Sequence, residues 1–178
     1  MGTRERRERS DARDRELVEL FHGALAVSGI TERQIALAAV GGFGRAELAP
    51  GSDLDLLFIH TGLSEKGLSI FIKAMLNPLW SLGRKIDYSV RTRGETKAVS
   101  RGDIKVISGL LDIRHIDGNQ DLTDGVAHDA SRQWSRRIRA YLPVMREMME
   151  QRRETFGELA FLLEPDLKES FRSSQAIE

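Results

Sequence analysis

Two glycines and two aspartates, ten residues apart, constrain this chain more than any other feature of it. Gly41-Gly42 ends a short apolar run, Gln34 to Val40, and Asp53-Leu54-Asp55 opens a second one, Leu54 to His60. Apolar runs of this length between polar turns read as buried strands. Residues i and i+2 of a strand point to one face, so Asp53 and Asp55 project side by side while Leu54, Leu56 and Phe58 serve the other face. Neighbouring carboxylates repel unless a cation neutralises them. Mg²⁺ suits such a pair, because it takes one or two carboxylates and leaves its other positions to phosphates and water. Two ions held ~3.5–4 Å apart are the arrangement used for in-line phosphoryl displacement.

The glycines complement the acids. A strand end without Cβ atoms lets backbone N–H groups approach a polyphosphate. Ser52 adds a hydroxyl and Arg45 a charge toward the same phosphates. The loop is neither a Walker loop nor a dinucleotide G-x-G-x-x-G. A glycine turn alone, or an Asp-x-Asp at a solvated strand edge, is ordinary structure; packing does not explain the two together at this spacing. A third run, Lys85 to Arg91, alternates, with Ile86, Tyr88 and Val90 on one face and Asp87, Ser89 and Arg91 on the other. By itself it fits any amphipathic surface strand. Paired beside Leu54–His60, it would bring Asp87 to Asp53 and Asp55, as a third metal ligand or as acceptor of a proton from an attacking hydroxyl.

The remaining periodicity supplies helices. Residues 3–28 carry an apolar stripe of Leu17, Leu20, Phe21, Ala24 and Leu25. Its first turns, Arg4 to Glu16, mix six Arg with five acids and read as an ion-paired, solvated helix end. Residues 64–82 are helical by period, with Pro78 bending the helix or setting its last turn. Residues 94–111 hold one or two short helical segments, and 111–116 fit a strand or a helix end. From 121 to 156 the pattern is helical, with a break expected near Pro143, and residues 159–178 look poor in structure. Trp80 and Trp134 are expected as core anchors. The four histidines, at 22, 60, 115 and 128, show no metal-ligand spacing. These readings sum to an α/β (α+β) fold in which a small mixed sheet carries packed helices. An N-terminal helix spans 1–29, a core 30–118, a helical appendage 119–158 and a tail 159–178.

Composition narrows the class. With 40% hydrophobic and 30% charged residues the chain is neither disordered nor membrane-spanning. The absence of cysteine excludes thiolate chemistry and fits a cytoplasmic home, and the charged N-terminus has no apolar leader core. Lys plus Arg and Asp plus Glu balance at 27 each, so nothing global favours nucleic acid or membrane. The one local excess is at 132–153, where seven Arg face two Glu; it reads as a solvated helix face, with few aromatics for base stacking.

The run Val-Gly-Gly-Phe-Gly-Arg-Ala-Glu-Leu-Ala-Pro-Gly-Ser-Asp-Leu-Asp-Leu-Leu, residues 40–57, carries the signature of the DNA polymerase β-type nucleotidyltransferases. It resembles one branch in particular, the N-terminal domain of the PII protein uridylyltransferase / uridylyl-removing enzymes. Ser89-Val90-Arg91-Thr92 and Leu163-Glu164-Pro165-Asp166-Leu167-Lys168 are similar to further stretches of that family. The resemblance implies a polymerase β-like core and Mg²⁺-dependent transfer of UMP or AMP from UTP or ATP to a tyrosine hydroxyl of a PII signalling protein in nitrogen regulation. It implies that Gly41, Gly42 and Ser52 hold the triphosphate, that Asp53 and Asp55 hold two metal ions and that Asp87 is the third acid. Two departures stand out. Ala46 occupies a position where the family usually has glycine. Phe171 to Glu178 does not continue the family's pattern, so the hydrolase and glutamine-sensing domains are expected to be missing, as in a truncated or frameshifted product. The alternatives are a non-catalytic fragment or module that binds nucleotide or partner without turnover, and a nucleotidyltransferase with another acceptor.

Overall fold

The structure is a computed structural model and describes residues 3–49 and 51–169. Its contacts divide the chain into two compact units, Met1–Arg136 and Arg137–Glu178. The first holds a four-stranded sheet, β1 (Ile35–Ala39), β2 (Leu54–His60), β3 (Ile86–Thr92) and β4 (Arg114–Gly118), in the order β3-β2-β1-β4. β1 runs antiparallel to both β2 and β4, and β2 runs parallel to β3. The sheet is therefore small and mixed, as the sequence predicts. A parallel neighbour needs a crossover, supplied here by α3 (Glu65–Ser81) between β2 and β3.

β1 is buried along its whole length, which is why Ile-Ala-Leu-Ala-Ala shows no alternation. One face of the sheet, with Leu37, Leu54, Leu56 and Phe58, meets α1 (Thr3–Ser28) through Leu17, Phe21 and Ala24, and α3 through Phe71, Met75, Leu76 and Leu79. Phe71 sits edge-on to Phe21 and Phe58, with ring centroids at 5.4 and 5.9 Å. Burying each such ring contributes roughly 2–3 kcal/mol. Along β2, Leu57 and Ile59 point to the opposite face and are buried as well. Within β2, Asp55 alone interrupts the apolar character of that face.

Several boundaries come from local chemistry. Ser64 caps α3 by accepting from the Gly67 N–H. Residues 93–111 form two helices, α4 (Arg93–Gly102) and α5 (Ile104–Leu111). Thr92 and Glu95 make a capping box on the first, and the Asp103 carboxylate accepts from Lys105 and Val106 N–H groups on the second. The segment left open between strand and helix end is strand β4, extending through Asp117 and Gly118. Pro78 lies in the last turn of α3. The loop expected from Gly41 to Ser52 begins with one helical turn, α2 (Gly41–Gly44).

Other expectations are corrected. α6 (Gln120–Glu169) continues through Pro143 with no break. Proline forfeits the bond to the carbonyl of residue 139, and Arg139 lies at an exposed position. Residues 159–169, expected to lack structure, have helical backbone; residues 170–178 lie outside the described residues. Trp80 is 44% exposed rather than a core anchor and lies tilted against Tyr88, centroids 6.2 Å apart. In the second unit Leu142 and Met149 are exposed on α6. No helix among the described residues is long and apolar enough to cross a membrane.

Candidate active site

The parallel register of β2 and β3 places Asp55 directly opposite Asp87. Both line a hollow of about 370 Å³ with Val40 and Gly41, and with Arg91 of β3 and Lys105 of α5 on its walls. Gly41 has φ +57, and a Cβ built there would stand 3.3 Å from the Asp55 carboxylate oxygen. The left-handed turn thus lays bare backbone against the acid. Gly42 needs no such freedom, since the nearest atom to its Cβ position is an Arg45 guanidinium nitrogen at 3.9 Å.

The electrostatics centre on Asp55. Burial raises its carboxyl above the usual range, and the charges of Asp87 and then Asp53 raise it further. Among the described residues no cation pairs with any of the three acids. Unpaired carboxylates facing one another across strands destabilise by roughly 0.2–1 kcal/mol. The three do not close a cage: no group of three or more His, Cys, Asp or Glu among the described residues is set to hold a metal ion unaided. An all-oxygen, partly dry, anionic pair without a cation still fits Mg²⁺, which borrows most of its ligands from substrate phosphates and water.

The other predicted residues are dispersed. Asp53 is exposed just before β2 and acts on Asp55 through its charge. Ser52 lines a different hollow, as expected when residues alternate about a strand. Arg45 is committed to Glu47 at 3.0 Å and Asp112 at 2.5 Å, hydrogen bonds that hold its charge in place.

Three residues go beyond the sequence reading. Lys105 offered no signal, being one Lys on a short helix. Gly44 is fixed by close approach, since a Cβ there would stand 1.9 Å from the Asp112 carbonyl oxygen. Arg114 braces the glycine turn. Its guanidinium donates to the Phe43 and Gly44 carbonyls at 3.2 Å each and stacks over the Phe43 ring at 5.3 Å. It also clasps Asp14 of α1 with bonds of 2.6 and 3.2 Å.

A glycine turn leaving one strand, set against acids on the next two strands of a small mixed sheet, is the core arrangement of a nucleotidyltransferase. The chain is 43% identical over 162 residues to a bifunctional uridylyltransferase/uridylyl-removing enzyme of Streptomyces coelicolor, covering 89% of this chain and 19% of the relative. Enzymes of the same name from Mycobacterium tuberculosis and Azotobacter vinelandii are 38% and 33% identical over 75% and 78% of the chain, again matching only 16% of their own length. By sequence the chain belongs with these enzymes, as the counterpart of their nucleotidyltransferase region, and spans less than a fifth of the relatives it matches. No protein-family model matches it. A solved toxin–antitoxin structure with AMP-PNP has a TM-score of 0.45 at 12% identity, too distant to bear on the argument.

Proposed function

We propose that this chain is a nucleotidyltransferase that moves UMP, or AMP, from a nucleoside triphosphate to a tyrosine hydroxyl of a PII-type signalling protein. The observation that supports this most is the facing pair Asp55 and Asp87, in register, without a cation and with Gly41 against it. Asp53, Asp55 and Asp87 would hold Mg²⁺, which when bound supplies Lewis-acid charge against the reacting phosphate and the leaving pyrophosphate. Gly41 leaves room for a phosphate beside Asp55. Arg91 and Lys105 bring positive charge from two walls of the same hollow, where developing negative charge on the phosphates is best met. Asp87, opposite Asp55 in the register, is the group positioned to accept the acceptor's hydroxyl proton. The family resemblance supports UTP as donor and PII as acceptor; the glycine turn reads phosphate and leaves ATP equally admissible.

The test is thermal melting with UTP or ATP, with and without Mg²⁺. A ligand that binds only the folded chain raises the melting temperature. The reading expects a Mg²⁺-dependent rise that Asp55→Asn abolishes. A rise of equal size in that variant would sink it.

A further inference from the structure

On the opposite side of the Asp53-Leu-Asp55 segment lies a second hollow, of about 410 Å³. Arg9 and Arg13, one turn apart on α1, form one wall; Arg84 and Lys85, at the turn into β3, form another; Ser52 and Gly51 form the floor. Four basic residues thus line one space. Arg13 and Arg84 both touch a single carboxylate, Glu16, the latter at 3.8 Å. One acid shared between two guanidinium groups leaves donors over. The Arg84 Nε–H is buried and has no hydrogen-bond acceptor. That one nitrogen is closed even to water, so an anion in the hollow would meet the rest of the guanidinium, on a side chain that is 35% exposed.

We propose that this hollow is a second anion site, distinct from the acidic one, and that it takes a di- or triphosphate. Arginine forks match phosphate oxygens in pairs, and several forks with a lysine suit an anion of multiple charge better than a single carboxylate. The hollow falls within the size range of small-ligand sites. It contains no acid pair, so its ligand binds without a divalent cation, unlike a ligand of the Asp55–Asp87 site. Its occupant touches Ser52, the neighbour of Asp53, and so stiffens the segment that presents the acids.

The experiment is calorimetric titration and thermal melting with inorganic tripolyphosphate in the presence of a chelator. Sodium chloride at matched ionic strength is the control. The expected result is saturable binding that raises the melting temperature, weakens at least tenfold in Arg84→Gln/Lys85→Gln and is unchanged in Asp55→Asn. If the double variant does not fold, Arg9→Gln/Lys85→Gln, both at exposed positions, replaces it, with the same tenfold loss expected. UTP without Mg²⁺ is the second arm: affinity equal to tripolyphosphate assigns the site to the free anion, and tenfold tighter binding assigns it to the phosphate tail of a nucleotide. A shift no larger than that of sodium chloride overturns the proposal. So does binding that survives loss of the basic residues, or binding that disappears in Asp55→Asn. Failure of Mg²⁺-dependent UTP binding at the acid pair leaves the result of this titration unaffected.

Discussion

Asp55 and Asp87 face each other across the parallel β2–β3 pair, and of the two Asp55 lies deeper, its carboxyl raised by burial and by its neighbour's charge. Its protonation is therefore linked to folding. Because the folded pKa lies above the unfolded one, this contribution to stability is fully present below the unfolded value, about 4, and is lost as pH rises through the folded value. Asp55→Asn is expected to match or exceed the parent in stability at pH 7, by up to about 1 kcal/mol, with the difference vanishing near pH 3.5. Urea unfolding at the two pH values measures it. Asp87→Asn should lower the Asp55 pKa, read by NMR titration of its carboxyl carbon.

Two histidines set the acid limit. His60 accepts the Gly62 and Leu63 N–H groups on Nδ1 at 3.2 and 3.1 Å, a role that requires the neutral ring. Burial lowers its pKa against an opposing pull from Glu95, and burial likewise lowers His115, opposed by Asp117 and Asp124. Depressed folded values mean that both contribute stability above the unfolded pKa of about 6.5, lost as pH falls through the folded values. The unfolding free energy should thus decline below pH 6.5, and His60→Gln should flatten that slope. A slope unchanged in the variant would remove His60 from the account.

Ala46 holds φ +57, where an L-residue with a Cβ is strained. Ala46→Gly should stabilise by about 0.5–1 kcal/mol, the relieved strain outweighing the greater freedom of glycine in the unfolded chain. Gly44→Ala acts in the opposite sense, because its methyl would drive into the Asp112 carbonyl, and should cost about 1–3 kcal/mol or more. Chemical denaturation of the two variants beside the parent gives both numbers.

The local features were the ones legible in the sequence. Strands β1 and β2 follow from their apolar runs and β3 from its alternation, and the placement of Asp55, with Gly41 against it, follows from a spacing in which ten residues make one turn and one loop. The adjacency of Asp87 was readable only conditionally, because alternation in 85–91 gives a face but not a neighbour; the parallel pairing through α3 supplies that. Ser52 and Arg45 show where spacing stops being informative. Alternation sends Ser52 to the far side of β2, and two nearby acids claim Arg45. Lys105 comes from another element, α5, and Arg114 from seventy positions beyond Gly44, relations that no local pattern encodes. Pro143 misled because a proline inside a helical pattern ordinarily ends or kinks it, whereas α6 runs on through it.

Arg114 ties the glycine turn to α1 through Asp14. Arg114→Lys keeps the charge but loses the fork and the two carbonyl bonds. The expected cost is about 1–3 kcal/mol of stability, together with weaker Mg²⁺-dependent UTP binding. Melting and titration on the same sample separate the two effects. Unaltered nucleotide binding in a destabilised variant would reduce Arg114 to a purely structural brace.

The most direct test of the central claim is transfer itself. The chain is incubated with UTP labelled at the α-phosphate, Mg²⁺ and a PII protein, and label on the PII tyrosine is counted, with Asp55→Asn and Asp87→Asn in parallel. The account predicts Mg²⁺-dependent labelling by the parent, reduced at least a hundredfold in each variant. Binding of Mg²⁺ and UTP without any label transferred, or labelling that persists in Asp55→Asn, would contradict it.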